Sequence, residues 1–375
     1  MKDIQMVDLR SQYERLKPEI DEAIKKVIDS SAFIKGPDVE LFEKELASYM
    51  GTRNVIACGN GTDALQVAMM ALGLKPGDEV ITTNFTFIAT VEVVALLGLT
   101  PVLADPCPSC FNITPEAIEN AITDKTRAIV PVHLFGQCCD MEPIMEIARR
   151  HNLFVIEDTA QATGAEYTFS DGRRAMAGTI GHVGCTSFFP SKNLGCYGDG
   201  GAVYTNDDNL AATVRSIINH GMKVRYYHDH VGVNSRLDTI QAAILRIKLK
   251  HLDSFNEARA KAAAYYNEAF GGIDDIIIPE RVRWSDHIYH QYTLRVLNGR
   301  RDGLREALQK ASVPAMIYYP VPLSRQKAYE NYNFSHENFP VTEMLSGEVI
   351  SLPMHTELTD RQLEYITDKV VGYFK

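Results

Sequence analysis

The chain has 375 residues, 45% hydrophobic and 23% charged, which is enough apolar sequence for two globular domains or for one large and one small. Its net charge of −10 excludes a general nucleic-acid-binding surface, so an anionic ligand must meet a local basic cluster. No signal-peptide core and no run of roughly 18 apolar residues is present, so we expect a cytoplasmic protein that does not bind membranes.

The seven cysteines are an odd number spread through a large chain, and we expect reduced thiols. Cys107 and Cys110 form a CxxC motif, and Cys138 and Cys139 follow downstream. The second pair does not have the spacing of the common structural zinc sites. We therefore expect no metal site and unreactive thiols.

The first half of the chain has the pattern of a parallel α/β sheet. Amphipathic helices are predicted over 10–30 and 37–50, with a break at Ile34-Lys35-Gly36-Pro37. Apolar runs then alternate with helical segments, which is typical of a parallel sheet covered on both faces. The predicted strands are Asn54–Cys58, Glu79–Thr83, Thr100–Ala104, Ala128–Val132, Leu153–Glu157 and Gly184–Phe188, and the predicted helices are Thr62–Gly73, Ile88–Leu97, Pro115–Ile122 and Met141–His151.

From residue 207 onwards the pattern becomes mainly helical. A helix is predicted over Asp208–Asn219, and one long helix over Ser235–Phe270 that ends at Gly271-Gly272. We predict a large domain over 1–250 and a smaller α/β domain over 251–375. The elements predicted in the remainder are strands at Ile276–Ile278, Tyr289–Val296 and Ala315–Tyr319 and helices at Asp302–Ala311 and Asp360–Phe374.

A glycine-rich turn follows the first predicted strand and opens a helix. In Cys58-Gly-Asn-Gly-Thr62-Asp-Ala-Leu65, the free N–H groups of the helix N-terminus and the Thr62 hydroxyl can bind a phosphate. The turn also matches GxGxxA, a dinucleotide-binding pattern that needs an acidic residue ending the next strand. That strand ends in Thr82-Thr83-Asn84, which weakens the dinucleotide alternative.

An acid and an aromatic residue lie near other predicted strand ends. Asp158 follows the buried run Leu153–Glu157, and a buried carboxylate needs a cationic or strongly donating partner such as a protonated pyridine nitrogen. The alternative is an ordinary helix cap. Phe87 precedes a predicted helix and could stack on a planar ring, although a core aromatic residue is the alternative.

The stretch His182–Asn206 places Lys192 between two β-like runs, directly before a glycine-rich turn. Apolar surroundings disfavour the ammonium form and lower the pKa, which turns a lysine into a nucleophile and proton carrier. The alternative is a solvated surface lysine. The glycines that follow allow close approach of the backbone or positive φ angles. The phosphate site, the aromatic residue, the acid and the lysine come in the order that pyridoxal 5′-phosphate (PLP) requires.

The chain resembles the DegT-type sugar aminotransferases, the nucleotide-sugar branch of the fold-type I PLP enzymes. This resemblance implies the PLP-dependent transferase fold of type I, an α/β fold with a mostly parallel central sheet, helices on both faces and a smaller C-terminal α/β domain. The segments that carry it are FIKGPDVELFEKELASYMG, GNGTDALQVAMMALGLKPGDEVIT, FTFIATVEVVALLG, VIEDTAQATGA, TSFFPSKNLGCYGDGGAV and GVNSRLDTIQAAIL.

The resemblance also implies roles for individual residues. Lys192 would bind PLP covalently, Asp158 would pair with its pyridine nitrogen, and Phe87 and Gln161 would flank its ring. The cofactor would alternate with pyridoxamine 5′-phosphate as an amino group passes from glutamate to a nucleotide sugar. The implied phosphate ligands are Thr62, Ala64 and Ser187, with Asn234 supplied by the partner subunit of a homodimer, and Gly61 and Asp63 are further implied cofactor contacts.

The segment SFFPSKNLGCYGDGGAV resembles the sub-branch that aminates C3 of UDP-2-acetamido-2-deoxy-3-oxo-glucuronate for surface polysaccharide or lipopolysaccharide precursors. The alternative is C4 amination of a neutral UDP- or dTDP-4-keto-6-deoxyhexose. The family often has PLH after its YYP segment, whereas this chain has Tyr319-Pro-Val-Pro-Leu-Ser324, so one imidazole is missing. Related dehydratases carry His in place of Lys192, which favours transamination, and the negative charge disfavours a DNA-binding regulator.

A UDP-linked uronate is strongly anionic, so an acidic protein must meet its charges locally. The densest basic stretch near the proposed site is His220–Arg236. Arg225 and Arg236 are candidates for the sugar carboxylate because a guanidinium binds carboxylates with two parallel hydrogen bonds. Arg325 is a third candidate, and Tyr318 is a further expected substrate contact. The alternative is a solvated loop whose charges serve solubility.

Overall fold

A seven-stranded sheet forms the centre of the computed structural model, which describes residues 3–335 and 338–375. Within the described residues the strands are β1 (Asn54–Cys58), β2 (Glu79–Thr83), β3 (Thr100–Ala104), β4 (Thr126–Val130), β5 (Phe154–Asp158), β6 (Glu166–Thr168), β7 (Arg174–Met176), β8 (Val183–Ser187), β9 (Gly201–Thr205), β10 (Met222–Val224), β11 (Tyr227–His228), β12 (Ile276–Ile277), β13 (Tyr292–Val296) and β14 (Val349–Leu352). The central sheet has the order β1-β9-β8-β5-β4-β2-β3, and β9 is antiparallel to both its neighbours while the other pairs are parallel.

Helices cover both faces of this sheet. Their bounds in the described part of the chain are α1 (Leu9–Ser30), α2 (Pro37–Met50), α3 (Gly61–Ala71), α4 (Ala89–Leu96), α5 (Pro115–Ala121), α6 (Met141–His151), α7 (Asp208–Ile217), α8 (Thr239–Leu249), α9 (Leu252–Phe270), α10 (Arg301–Lys310), α11 (Pro340–Glu348) and α12 (Asp360–Phe374). None of the described helices is long and apolar enough to cross a membrane.

Side-chain alternation along the strands builds two cores around the sheet. In β5, Ile156 packs with α3, α4 and α7, whereas Val155 packs with α5 and α6 on the other face. In β1, Val55 packs with α2 and α8. The predicted α/β fold with a mostly parallel sheet is therefore confirmed.

A separate core joins the three-stranded sheet β12-β13-β14 to α9, α10 and α12. Tyr292 and Leu294 of β13 and Ile350 of β14 are fully buried in it. This arrangement is the smaller α/β unit expected from the sequence, and the division of the chain at residue 250 stays a prediction.

Two predicted elements are wrong. The long helix predicted over Ser235–Phe270 is two helices, because His251 N–H binds the carbonyl of Lys248 three residues back, at 3.0 Å, and breaks the i→i−4 ladder. The apolar stripe continues across this break, so the pattern gave no sign of it. The strand predicted over Ala315–Tyr319 is absent from the described structure, where Met316 forms only an isolated bridge with Ser351.

Candidate active site

The predicted phosphate cradle lies where the N-terminus of α3 meets the end of β8. Asn60 caps the helix, since its Oδ1 accepts a hydrogen bond from Asp63 N–H at 2.8 Å. The Gly61 and Thr62 N–H groups are first-turn amides without intrahelical acceptors and can bind an anion. A Cβ atom on Gly61 would lie 2.6 Å from Ser187 Cβ, so glycine lets the helix end approach the Ser187 hydroxyl.

Two further residues predicted to hold the phosphate, Ala64 and Asn234, differ in the exposure of their side chains. The Ala64 side chain is fully buried in the core between α3 and the sheet, so only its backbone could face a ligand. Ser235 Oγ accepts a hydrogen bond from Gly59 N–H at 3.0 Å, which holds the segment containing Asn234 against the glycine-rich turn. Asn234 itself is exposed. An exposed amide beside the cradle suits contact with a second subunit.

Asp158 ends β5 as a buried carboxylate with few partners. Thr90 Oγ1 donates to its Oδ2 at 2.9 Å, and Ala160 N–H donates to its Oδ1 at 3.1 Å. Burial raises the pKa of this carboxyl group, and the positive charge of Lys192 acts in the opposite direction. Residues 159–165 form turns rather than a helix, so Asp158 does not cap one. Two carboxylate oxygens accept about four hydrogen bonds, so a cationic partner can still be accommodated.

Lys192 lies in a tight loop after β8. The loop is closed where Phe188 N–H binds the Gly200 carbonyl at 2.7 Å and Cys196 N–H binds the Phe188 carbonyl at 2.8 Å. Among residues 3–335 and 338–375, no group makes a hydrogen bond with the Lys192 amine. Burial lowers the pKa of Lys192 from 10.5 to about 8, so roughly a tenth of the amine is neutral at pH 7, far more than for a solvated lysine. The solvated-lysine alternative is thereby disfavoured.

The glycines after Lys192 serve close packing rather than unusual backbone angles. None of Gly195, Gly198, Gly200 and Gly201 has a positive φ. A Cβ atom on Gly195 would lie 2.4 Å from the Pro190 carbonyl oxygen, and one on Gly201 would lie 2.4 Å from the Asn60 carbonyl oxygen. The first contact keeps the lysine loop compact, and the second brings β9 against the cradle.

The sequence analysis missed Tyr319, which connects the two residues expected to flank a ring. Its hydroxyl accepts a hydrogen bond from Gln161 Nε2 at 3.0 Å, and its ring centroid lies 6.3 Å from that of Phe87. Gln161 Oε1 also accepts from Phe135 N–H at 2.8 Å, which fixes the amide orientation. Phe87 is 54% exposed, so it is not a core aromatic residue. Two tyrosines before Pro320 are the only sequence signal for this contact.

The lysine loop is held by side chains from α8, which the sequence analysis also missed. Lys248 Nζ donates to the Gly195 carbonyl at 2.7 Å, and its ammonium lies 4.4 Å from the Tyr197 ring centroid. Gln241 Oε1 accepts from Tyr197 N–H at 2.8 Å. The sequence of α8 places a lysine on an apolar helix face, and this pattern does not predict that the lysine is buried and holds a distant loop.

The residues expected to contact substrate are spread over several elements. Arg225 is exposed at the tip of the β10–β11 hairpin, with its guanidinium 5.0 Å from the Tyr226 ring. Arg236 lines a cavity of about 740 Å³ between α2, β1 and α7. Arg325 forms an ion pair with Glu343. Tyr318 is half-buried beside Tyr319, and burial raises its pKa.

The residues around Lys192 fit PLP. The narrow gap between Gly61 and Ser187 and the free first-turn amides suit its phosphate, and the buried carboxylate of Asp158 suits a protonated ring nitrogen. The exposed ring of Phe87 offers a stacking surface, and Lys192 offers an amine without a hydrogen-bond partner among the described residues.

Comparison with known proteins identifies the family. The DegT/DnrJ/EryC1/StrS aminotransferase family matches residues 14–371. The chain is 46% identical to a pleiotropic regulatory protein of Geobacillus stearothermophilus over 99% of both chains. It is 45% identical to the UDP-2-acetamido-2-deoxy-3-oxo-D-glucuronate aminotransferase of Pseudomonas aeruginosa over 97% of this chain and 98% of that one. The crystal structure of Streptomyces venezuelae DesV, in complex with a ketimine intermediate, has a TM-score of 0.95 and 40% identity over 100% of this chain and 99% of that one. The chain therefore belongs to the DegT/DnrJ/EryC1/StrS aminotransferase family and is a PLP-dependent sugar aminotransferase.

Proposed function

We propose that this aminotransferase moves the amino group of glutamate to C3 of UDP-2-acetamido-2-deoxy-3-oxo-glucuronate, as a homodimer with shared active sites. The observation that carries the substrate proposal is the 45% identity, over nearly the whole chain, to the Pseudomonas enzyme named for that reaction. The product would enter surface polysaccharide or lipopolysaccharide precursors.

The chain's own residues would divide the chemistry between proton transfer and charge stabilisation. PLP supplies the electron sink when bound. Lys192 would take the proton from the α-carbon of the amino donor, and a pKa lowered to about 8 suits a general base near neutral pH. Asp158 would hold the proton at the pyridine nitrogen, since Thr90 and Ala160 already fix its two oxygens. The amides of α3 would anchor the phosphate.

The ion pairs and hydrogen bonds of the three arginines make Arg225 the first candidate for the uronate carboxylate. Arg325 is already compensated by Glu343, and Arg236 makes one long contact with Asn219 at 3.5 Å. Arg225 has no carboxylate partner among the described residues and is exposed on a hairpin. The expected order of importance for the sugar carboxylate is therefore Arg225, Arg236 and Arg325.

The substrate proposal is tested by the ratio of kcat/KM for the UDP-linked 3-oxo-uronate to that for the matching neutral hexose. Loss of a charge-assisted bidentate contact costs about 2–4 kcal/mol, so the responsible Arg→Met variant should lower this ratio about 30- to 1000-fold. Lys223→Met is the matched control. Lys223 is in the same segment, but its Nζ lies 3.7 Å from Asp229 Oδ2, so its charge is already compensated. An unchanged ratio in all three arginine variants would replace the uronate by a neutral keto-sugar, such as a 4-keto-6-deoxyhexose.

The homodimer proposal is supported by the surface around Asn234. Val224, Tyr226, Tyr227 and Val231 are 63%, 76%, 72% and 88% exposed on the same segment. Clustered exposed apolar side chains mark a protein–protein interface. The segment is also anchored at the phosphate cradle of its own chain by Ser235.

Mixing two inactive variants tests the shared site. In a hybrid of Lys192→Ala and Asn234→Asp subunits, a shared site combines the intact Lys192 of one chain with the intact Asn234 of the other. We expect activity to return on mixing with verified subunit exchange. Replacing the Asn234→Asp chain by the double variant Lys192→Ala, Asn234→Asp is the control, because no site then has a lysine. No gain over this control would mean that each chain builds its own site.

A regulatory role is the second candidate, since one relative carries the name of a pleiotropic regulatory protein. The two functions differ in turnover. We expect the purified chain to bind PLP through Lys192, seen as a visible absorbance band that borohydride abolishes, and to convert glutamate to 2-oxoglutarate when a keto-sugar is supplied. Cofactor binding without turnover on any UDP- or dTDP-linked keto-sugar would favour the regulatory function.

A further inference from the structure

A tight turn after β3 brings two cysteines together. Phe111 N–H binds the Cys107 carbonyl at 3.0 Å, so residues 107–111 form one turn of the α-helical kind, closed by an i→i+4 hydrogen bond. With a rise of about 1.5 Å per residue on a radius of about 2.3 Å, the first and fourth Cα atoms of one helical turn lie about 5 Å apart. Disulfides span Cα separations of about 4.4–6.8 Å. The turn therefore has the dimensions of a disulfide.

The Cys107 sulfur is surrounded by donors. Cys110 N–H donates to it at 3.4 Å, and its distance to Ser109 Oγ is 3.3 Å. Hydrogen bonds from the Cys110 thiol and from Ser109 lower the pKa of Cys107 to about 5. The Cys110 thiol, which donates to Cys107 and is buried, has a raised pKa. The lowered pKa favours the thiolate form at Cys107, and the raised pKa favours the thiol form at Cys110.

Exposure also separates the two cysteines. Cys107 is partly exposed, whereas Cys110 is only 7% exposed. The turn is fixed from two sides, because Cys107 N–H binds the Asn112 carbonyl at 2.8 Å and Arg295 Nη1 donates to the Pro108 carbonyl at 3.1 Å. In residues 3–335 and 338–375, no group of three or more His, Cys, Asp or Glu side chains could hold a metal ion.

We propose that Cys107 and Cys110 are a redox-active dithiol that is oxidised to an intramolecular disulfide by small-molecule disulfides, with Cys107 as the attacking and Cys110 as the resolving residue. This replaces the expectation of inert thiols for this pair alone. The other five cysteines (58, 138, 139, 185 and 196) are buried, and burial raises the pKa of each.

The exchange balances in two steps. The Cys107 thiolate attacks one sulfur of the small disulfide, which forms a mixed disulfide and expels the other half as a thiolate. Cys110 then gives its proton to solvent, and its sulfur attacks the Cys107 sulfur, which releases the second small thiol. Two cysteine thiols lose two electrons and two protons, and one disulfide becomes two thiols.

Glutathione disulfide is the probe for the holoenzyme, with alkylation of free thiols and peptide mass spectrometry as the readout. We expect the wild type to form the Cys107–Cys110 disulfide while the five buried cysteines stay alkylatable only after denaturation. Cys110→Ser should stop at one glutathione on Cys107. Cys107→Ser should react at least about tenfold more slowly, since only a buried thiol remains.

The pH dependence separates this pair from ordinary thiols. A thiol with a pKa near 9 becomes about 100-fold more reactive between about pH 6 and pH 8. The first step at Cys107 should change only a few-fold over this range, and brief incubation of the wild type measures it without any substitution. A steep rise, a stable mixed disulfide on wild-type Cys107, or equal reactivity at Cys110 in Cys107→Ser would each overturn the proposal.

Discussion

One lysine lies in the loop after β8 and a second contacts this loop from α8, and the two differ in what their amines bind. Burial lowers the pKa of both Lys192 and Lys248 to about 8. The Lys248 amine donates to the Gly195 carbonyl at 2.7 Å and lies against Tyr197, whereas no described residue shares a hydrogen bond with the Lys192 amine. One lysine is therefore committed to holding the loop, and the other is free to react.

The neighbouring carboxylates at the end of β5 differ in the same way. Glu157 accepts from the N–H groups of Gly178 at 2.9 Å, Ile180 at 2.8 Å and Gly181 at 2.5 Å. His133 Nδ1 accepts from Cys139 N–H at 3.0 Å, so His133 carries its proton on Nε2 and donates to Glu157 at 2.9 Å. Asp158, on the other face, accepts only two hydrogen bonds.

Residue type and the direction of the lysine pKa shift therefore do not identify the reactive group here. A buried ionisable group that is fully hydrogen-bonded stabilises the fold, whereas one with unused hydrogen-bonding capacity is available to a ligand. Lys192 and Asp158 are the incompletely bonded members of their pairs. Substituting each member in turn should separate losses of activity from losses of stability.

Lys192→Ala should have the largest effect on turnover. Removing a positioned general base costs about two to four decades, and loss of the covalent role adds to this, so the expected fall in kcat exceeds about 10⁴-fold. The thermal midpoint should stay within a few degrees of the wild type, because the amine holds no other group. Lys250→Ala, an exposed lysine just beyond α8, is the matched control. Turnover within tenfold of the wild type would reject Lys192 as the catalytic base.

Asp158→Asn should lower kcat by about 10²–10³-fold, the usual loss for one preorganised electrostatic partner. The amide keeps the shape and can still bind Thr90, but it no longer holds a proton at a pyridine nitrogen. Bound PLP, measured after dialysis by absorbance, should be retained with weaker affinity. Near-normal kinetics would make Asp158 a structural turn residue only.

The reactive residues of this site could be predicted from the sequence, whereas the residues that hold them in position could not. Strand ends and the glycine-rich turn predict local backbone, so the positions of Asp158 and Lys192 at the ends of β5 and β8 follow from short segments. Tyr319 lies 158 residues from Gln161, and Lys248 lies 53 residues from Gly195. These contacts depend on how α8 and the loop before α11 pack, which periodicity does not encode.

The fold shows the same limit. Strands β1, β2 and β3 have the predicted bounds, because a short, mostly apolar run of five residues between turn signals has few alternatives. The edge between α8 and α9 was missed, since an apolar stripe reports which face is buried and not where two helices join. Antiparallel β9 follows the lysine loop as Gly201–Thr205, and its direction depends on pairing with β1 and β8.

Glu157→Gln tests whether the fully hydrogen-bonded carboxylate serves stability rather than catalysis, and Asp158→Asn is the variant with which it is compared. One end of the glutamine becomes an N–H₂ group facing backbone N–H donors, which leaves a buried group unsatisfied and costs about 1–3 kcal/mol. We expect a lower urea midpoint and kcat within about tenfold of the wild type for the folded fraction. A loss of kcat as large as that of Asp158→Asn, with an unchanged midpoint, would contradict the assigned difference between the two carboxylates.

Lys248→Met should have the smallest effect at neutral pH, and its effect on stability should change with pH. The unfolded chain keeps the lysine protonated up to a pKa of 10.5, whereas burial lowers the folded value to about 8. Between these values the unfolded state binds more protons, so the wild type gains stability relative to Lys248→Met as pH rises, by at most about 3 kcal/mol. Below about pH 8 the free energies of unfolding of the wild type and the variant should differ by a constant amount of about 1 kcal/mol. Two contributions oppose each other in the variant: the unpaired Gly195 carbonyl destabilises it, and the loss of a buried charge stabilises it. Urea midpoints at pH 7.5 and 9.5 measure this, with exposed Lys250→Met as the control that should run parallel to the wild type. If the urea midpoints of Lys248→Met also changed with pH in parallel with those of the wild type, Lys248 would titrate like a solvated lysine and would not share the lowered pKa of Lys192.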